Sequence, residues 1–158
     1  MTPEKLREIP LFATLNPDEL NDLIRRLQKE TYKANTVILW MDDPGDKFYV
    51  IERGQVRISS INKDGKETTL GQQGEGTFFG ELSLLDGGPH TATVRSISET
   101  TLLTINRSTF YNYLDNHPQF SRTLLAIIVD RLRTNTTTMR EHISGSKIPH
   151  EQPASFRR

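Results

Sequence analysis

The stretch KFYVIERGQVRISSINKDGKETTL, from Lys47 to Leu70, decides the fold class. It holds three short runs rich in β-branched and aromatic residues, KFYVIE, QVRISSI and ETTL, divided by the turn signals RG and NKDG. Such residues suit a pleated, half-buried surface. The last two runs predict a β-hairpin with Asp64-Gly65 at its tip. Upstream, TVILWM ends at the turn DDPGD; downstream come TATVRSI and TTLLTI. Roughly six to eight short strands at regular spacing predict a small antiparallel barrel or roll.

Helical patterns flank the strands. In LNPDELNDLIRRLQ, Asn16 is placed as a cap, Pro17 as the first helical residue, and Asp18 and Glu19 in the first turn. Leu20, Leu23, Ile24 and Leu27 recur at helical spacing, so a helix is predicted to about Gln28. Helical spacing returns at RSTFYNYLDNHPQF, where Pro118 can open a second, longer helix. That helix carries Phe120, Leu124, Ile127, Ile128, Leu132 and Met139. The stripe fits burial against the strands or against a twin helix, and a homodimer through Pro118–Met139 is expected. From Ser144, SGSKIPHEQPASFRR predicts a flexible tail, which gives one folded domain over residues 1–143 and a tail over 144–158.

Composition excludes several classes. The 158 residues carry 20 basic and 20 acidic side chains, so the basic footprint of a nucleic-acid binder is missing. There is no cysteine, hence no disulfide and no thiolate metal site. No apolar run approaches the roughly 18 residues of a membrane helix, and a cytoplasmic protein without membrane contact is expected. The four histidines, His90, His117, His142 and His150, follow no metal-ligand spacing. No nucleophile–base or paired-carboxylate constellation is evident, so no enzyme is expected.

Functional chemistry concentrates in FFGELSLLDGGPHTATV, Phe78 to Val94. Gly80 permits close backbone approach. ELSLL is long enough for one helical turn, whose first amides can meet an anion. Glu81 at that start suits a sugar hydroxyl beside a phosphate. DGGP then turns the chain and returns His90, Thr91 and Ala92 towards the helical turn. The same residues also fit a plain strand terminus, a solvated carboxylate and a surface-loop histidine.

FGELSLL…GGPHTATV resembles the phosphate-binding cassette of the cyclic nucleotide-binding domain family, of the catabolite activator protein and cAMP-dependent protein kinase regulatory type. DDPGDKFYVIERGQVRIS resembles the family's strand–turn–strand signature, with Gly45, Asp46, Tyr49, Ile51 and Gly54 in place, and IPLFATLNPDELNDL resembles its helical entry. The resemblance implies a mainly β fold with flanking helices: a double-stranded, jelly-roll-like β-roll with N-terminal helices and a long C-terminal helix. It further implies that the ligand is cAMP or cGMP, with no prosthetic group, and that binding is signalled through the C-terminal helix. By the same resemblance, Gly80, Leu82 and Ser83 offer backbone contacts to phosphate and ribose, and Glu81 accepts the ribose 2′-hydroxyl. Thr91 touches the phosphate or a guanine amino group, Ala92 adds an amide, and Asn135 and Thr136 contact the base. The run TNTTT has poor helix propensity and fits a fraying helix end equally well. His90 departs from the family pattern, which has arginine there; its planar charged fork makes two bonds to phosphate oxygens. A neutral imidazole offers one donor, so weakened affinity is expected. Two alternatives accompany this reading: a fold-only dimerisation domain with an unused pocket, and the sensor part of a transcription regulator without its DNA-binding domain.

Overall fold

The computed structural model describes the backbone of residues 1–145 and the side chains of residues 1–134. Two units are distinguished: residues 1–121 hold the strands and most helices, and the chain from Arg122 forms the second. In the first, α1 (Pro3–Arg7) and a 3-10 turn (Pro10–Phe12) precede α2 (Pro17–Arg26). Asn16 caps α2 reciprocally: its side chain accepts from the Glu19 amide at 2.8 Å, and Glu19 accepts from the Asn16 amide at 3.0 Å. The helix ends two residues before the predicted boundary, because Gln28 already belongs to a strand.

Eight strands follow: β1 (Gln28–Tyr32), β2 (Val37–Leu39), β3 (Lys47–Arg53), β4 (Val56–Ile61), β5 (Glu67–Gln73), β6 (Phe78–Phe79), β7 (Thr93–Ser96) and β8 (Thr100–Asn106). They form two four-stranded antiparallel sheets, ordered β1-β8-β3-β6 and β2-β7-β4-β5. The predicted hairpin is β4–β5, and its turn closes with the Gly65 amide donating to the Asn62 carbonyl at 2.9 Å. This is the β-roll with flanking helices that the sequence led one to expect.

Strand β3 is buried along Phe48, Tyr49, Val50 and Ile51 because both of its faces are covered. Tyr49 and Ile51 join Leu39, Val56, Phe79, Val94 and Leu102 in one apolar cluster. On the opposite face, Phe48 lies tilted against Phe78 and stacks on Phe110 of α4 (Arg107–Asn116), both at 5.1 Å between ring centres. Phe110 in turn meets Phe120, at the start of α5 (Pro118–Gly145). Alternation along FYVI therefore serves two cores, one apolar cluster and one aromatic layer under the helices.

Helix α4 is tied to α2 by polar contacts. The Tyr113 hydroxyl donates to the Glu19 carbonyl at 3.1 Å and to the Asp22 carboxylate at 3.0 Å, while His117 pairs with the Glu19 carboxylate. Asp22 is held below the usual carboxylate range by the Tyr113 bond first and the Arg26 bond second. His117 caps α4, and Pro118 opens α5 immediately afterwards, as the proline predicts. In the second unit, described through Gly145, α5 leaves Leu125, Val129 and Leu132 exposed at spacings of four and three. The predicted stripe named Leu132 but not Leu125 or Val129. The tail beyond residue 145, and the side chains of Asn135, Thr136 and Met139, lie outside the described residues.

Candidate functional site

The cassette begins where β6 pairs with β3, Phe79 opposite Tyr49. Gly80 then caps α3 (Glu81–Asp86) at φ +87°, a conformation that disfavours any side chain. A Cβ there would lie 2.9 Å from the Lys47 carbonyl and 3.0 Å from the Tyr49 ring. The backbone thus turns into α3 pressed against β3, and only glycine permits the approach. Glu81, the first residue of α3, is buried, whereas Leu82 is exposed.

After α3 the chain returns through Pro89, which forms an isolated bridge with Pro44. The His90 amide donates to the Asp43 carbonyl at 2.8 Å, and the Asp42 amide donates to the His90 carbonyl at 2.8 Å. These bonds fix the backbone of His90 against the Trp40–Asp46 loop. Its imidazole then turns inward, with Nδ1 3.1 Å from Ser83 Oγ, both residues being almost fully buried. Gly45 closes the niche: a Cβ on it would come within 2.5 Å of Ser83 Cβ and 2.7 Å of His90 Cε1.

Burial pushes the His90 pKa below the usual histidine value, while Asp43 and Asp46 pull more weakly the other way. Burial therefore favours the neutral ring, and His90 is no loose surface group. Thr91 is exposed and Ala92 half-buried as the chain enters β7. The Ser83–His90 contact unites the two halves of the predicted cassette, Gly80–Ser83 and His90–Ala92. A cavity of about 360 Å³ lined by Met1, Lys5, Glu8, Ile51 and Arg53, among others, involves none of these residues. Among the described residues no three His, Asp or Glu side chains are grouped to hold a metal.

Two residues escaped the sequence reading of the site. Arg107 Nη2 donates to the Gly45 carbonyl at 2.9 Å, and the Tyr111 hydroxyl donates to the Leu84 carbonyl of α3. Spaced by four, they occupy one face of α4 and hold both walls around His90. Gly45 was legible as part of a turn, but not as the floor beneath two side chains far along the chain.

The family model for the cyclic nucleotide-binding domain matches residues 29–117, from β1 to the end of α4. The chain belongs to the cyclic nucleotide-binding domain family. It is 29% identical over 140 residues to the CRP-like cAMP-activated global transcriptional regulator of Mycobacterium tuberculosis, covering 89% of this chain and 62% of that protein. It is 32% identical over 124 residues to the Cyclic AMP receptor protein of Thermus thermophilus, covering 78% of this chain and 57% of the relative. The crystal structure of the Thermus thermophilus Catabolite Activator Protein superposes with a TM-score of 0.74 at 30% identity, over 83% of this chain and 62% of the other. This cyclic nucleotide-binding domain thus spans about three fifths of the length of those relatives. Among the described residues no helix is long and apolar enough to cross a membrane.

Proposed function

We propose that the α3 cassette binds cAMP or cGMP, with affinity lowered by His90, and that α5 carries the signal to whatever the domain regulates. The observation that carries this reading is the Gly80 approach to β3. It sets the first-turn amides of α3 and Glu81 beside the Ser83–His90 contact, where one compact ligand with a phosphate and a free hydroxyl is satisfied. Glu81 accepts the ribose hydroxyl, the amides and His90 take the phosphate, and Thr91 and Ala92 complete the rim. Arg107 and Tyr111 support the route outward, since they tie both cassette walls to α4, which leads directly into α5.

The sign of the pH dependence follows from His90. Its free-state pKa is depressed by burial, and a bound phosphate favours the protonated ring, so binding takes up a proton. Affinity for cAMP and cGMP, measured by calorimetry, is expected to be higher at pH 6 than at pH 7.5. Absence of binding at both values would sink the reading. It would leave the fold-only domain, favoured by one observation, the inward bond of His90 to Ser83.

The exposed Leu125, Val129 and Leu132 support a homodimer through α5, since a helix face of that kind is normally covered. Light scattering after size exclusion is expected to give a dimer for the wild type and a monomer for a Leu125→Glu/Val129→Glu double variant. A wild-type monomer, with and without nucleotide, would remove the dimer.

A further inference from the structure

The direction of the Ser83–His90 hydrogen bond depends on which ring nitrogen holds the proton. A neutral imidazole has one donor and one acceptor nitrogen. Ser83 is 2% exposed, and His90 Nδ1 is the polar group its hydroxyl meets. Were the proton on Nδ1, Nδ1 would donate to Ser83 Oγ, and the serine's own O–H would be left as a buried donor with nowhere to point. Such a group costs more than an ordinary hydrogen bond returns. With the opposite arrangement the hydroxyl donates to Nδ1 and both groups are satisfied. The proton then sits on Nε2, the ring nitrogen on the far side from Ser83.

We propose that Ser83 is a positioning residue for His90: its hydroxyl donates to Nδ1 and so fixes the ring proton on Nε2, leaving the nitrogen away from Ser83 as the donor that an anionic ligand would meet. The groups around the ring come from three elements. From α3, Ser83 faces the ring; from the Trp40–Asp46 loop come Asp43, Asp46 and the Cα of Gly45, whose carbonyl is held by Arg107 of α4. The two carboxylates favour the charged ring, but burial outweighs them. An anion approaching Nε2 therefore meets a hydrogen-bond donor without the ring having first to ionise. In the family pattern the charge of an arginine does this work; here a serine–histidine pair does it with a tautomer. The role rests on the cyclic-nucleotide reading only for the identity of the anion.

Nitrogen-15 NMR of the imidazole in the ligand-free chain tests the pair directly. For the wild type at pH 7.5, His90 is expected as one neutral tautomer, with Nε2 protonated and Nδ1 an unprotonated acceptor. Ser83→Ala is expected to shift the Nδ1 resonance towards that of a free acceptor and to raise the ring pKa, because the bond to the neutral form is gone. A wild-type ring protonated on Nδ1 would overturn the proposal, as would a Ser83→Ala spectrum and pH profile matching the wild type. Titration with cAMP at pH 7.5, where the neutral ring is the form tested, then adds the functional arm, with affinity expected to fall about 2- to 10-fold in Ser83→Ala. If the wild type binds no nucleotide, the cyclic-nucleotide reading fails while the NMR result still decides the role of Ser83.

Discussion

Replacing Gly80 with alanine is expected to destabilise the ligand-free domain by about 2–5 kcal/mol and to weaken nucleotide binding more than about 100-fold. Two costs add. The left-handed backbone disfavours any Cβ by about 1–2 kcal/mol. The methyl group also meets the Lys47 carbonyl at 2.9 Å and the Tyr49 ring at 3.0 Å, and overpacking of this kind costs about 1–3 kcal/mol. Because β3 is buried on both faces, the strain is relieved by lifting the start of α3, which carries Glu81 and the first-turn amides away from a ligand. Loss of two charge-assisted bonds, each worth about 1.5–3 kcal/mol, gives the fall in affinity. Gly87 supplies the control: at φ +71° it is also left-handed, but a Cβ there meets nothing within 4 Å. Urea unfolding should therefore show Gly87→Ala paying the backbone cost alone. Equal losses for the two variants would disprove the clash at β3 as the reason for Gly80.

Local signals carried most of the architecture. Asn16, Pro17 and Glu19 form a complete capping box within four residues, and the NKDG turn marks the tip of the β4–β5 hairpin locally. Strand β1 was hidden for the opposite reason. QKETY has no apolar alternation, and it becomes a strand by pairing as a sheet edge with β8 more than sixty positions along the chain. The preceding helical spacing consequently overran into Gln28. The two-residue β6 is likewise made by its register with Tyr49 and Val50.

At the site, GEL was readable as a glycine entry into a helical turn because its chemistry is local. The burial of His90 was not. GGPH reads as an exposed loop, and only the Pro44–Pro89 bridge and the missing Cβ of Gly45 turn it into a niche. Arg107 and Tyr111 were visible as helical residues at spacing four, but their targets are main-chain carbonyls, which leave no mark in a sequence. What a single chain spells out is therefore the donors and turns; what it conceals is which distant backbone completes them.

His90→Arg is the sharpest test of how much one side chain limits the cassette. Its expected effect is a gain of about 10- to 150-fold in affinity for cyclic nucleotide, the equivalent of a charge-assisted bond of about 1.5–3 kcal/mol. The guanidinium is permanently charged and makes paired bonds to phosphate oxygens, so the pH dependence attributed to His90 should vanish between pH 6 and 7.5. Gly45 leaves no space for a larger group beside Ser83, so the arginine must extend towards the ligand and forgo the Ser83 contact. That loss should cost the ligand-free domain about 0.5–1.5 kcal/mol, read as a lower urea midpoint. Asp43 and Asp46, which already act on His90, are placed to offset part of it. Tight, pH-independent binding would mean that Gly80, Glu81 and Thr91 form an intact cradle held back by one imidazole. A folded variant that still binds no nucleotide would show the opposite, a pocket whose remaining groups no longer serve a ligand, and the domain would then be an interaction module built on the roll.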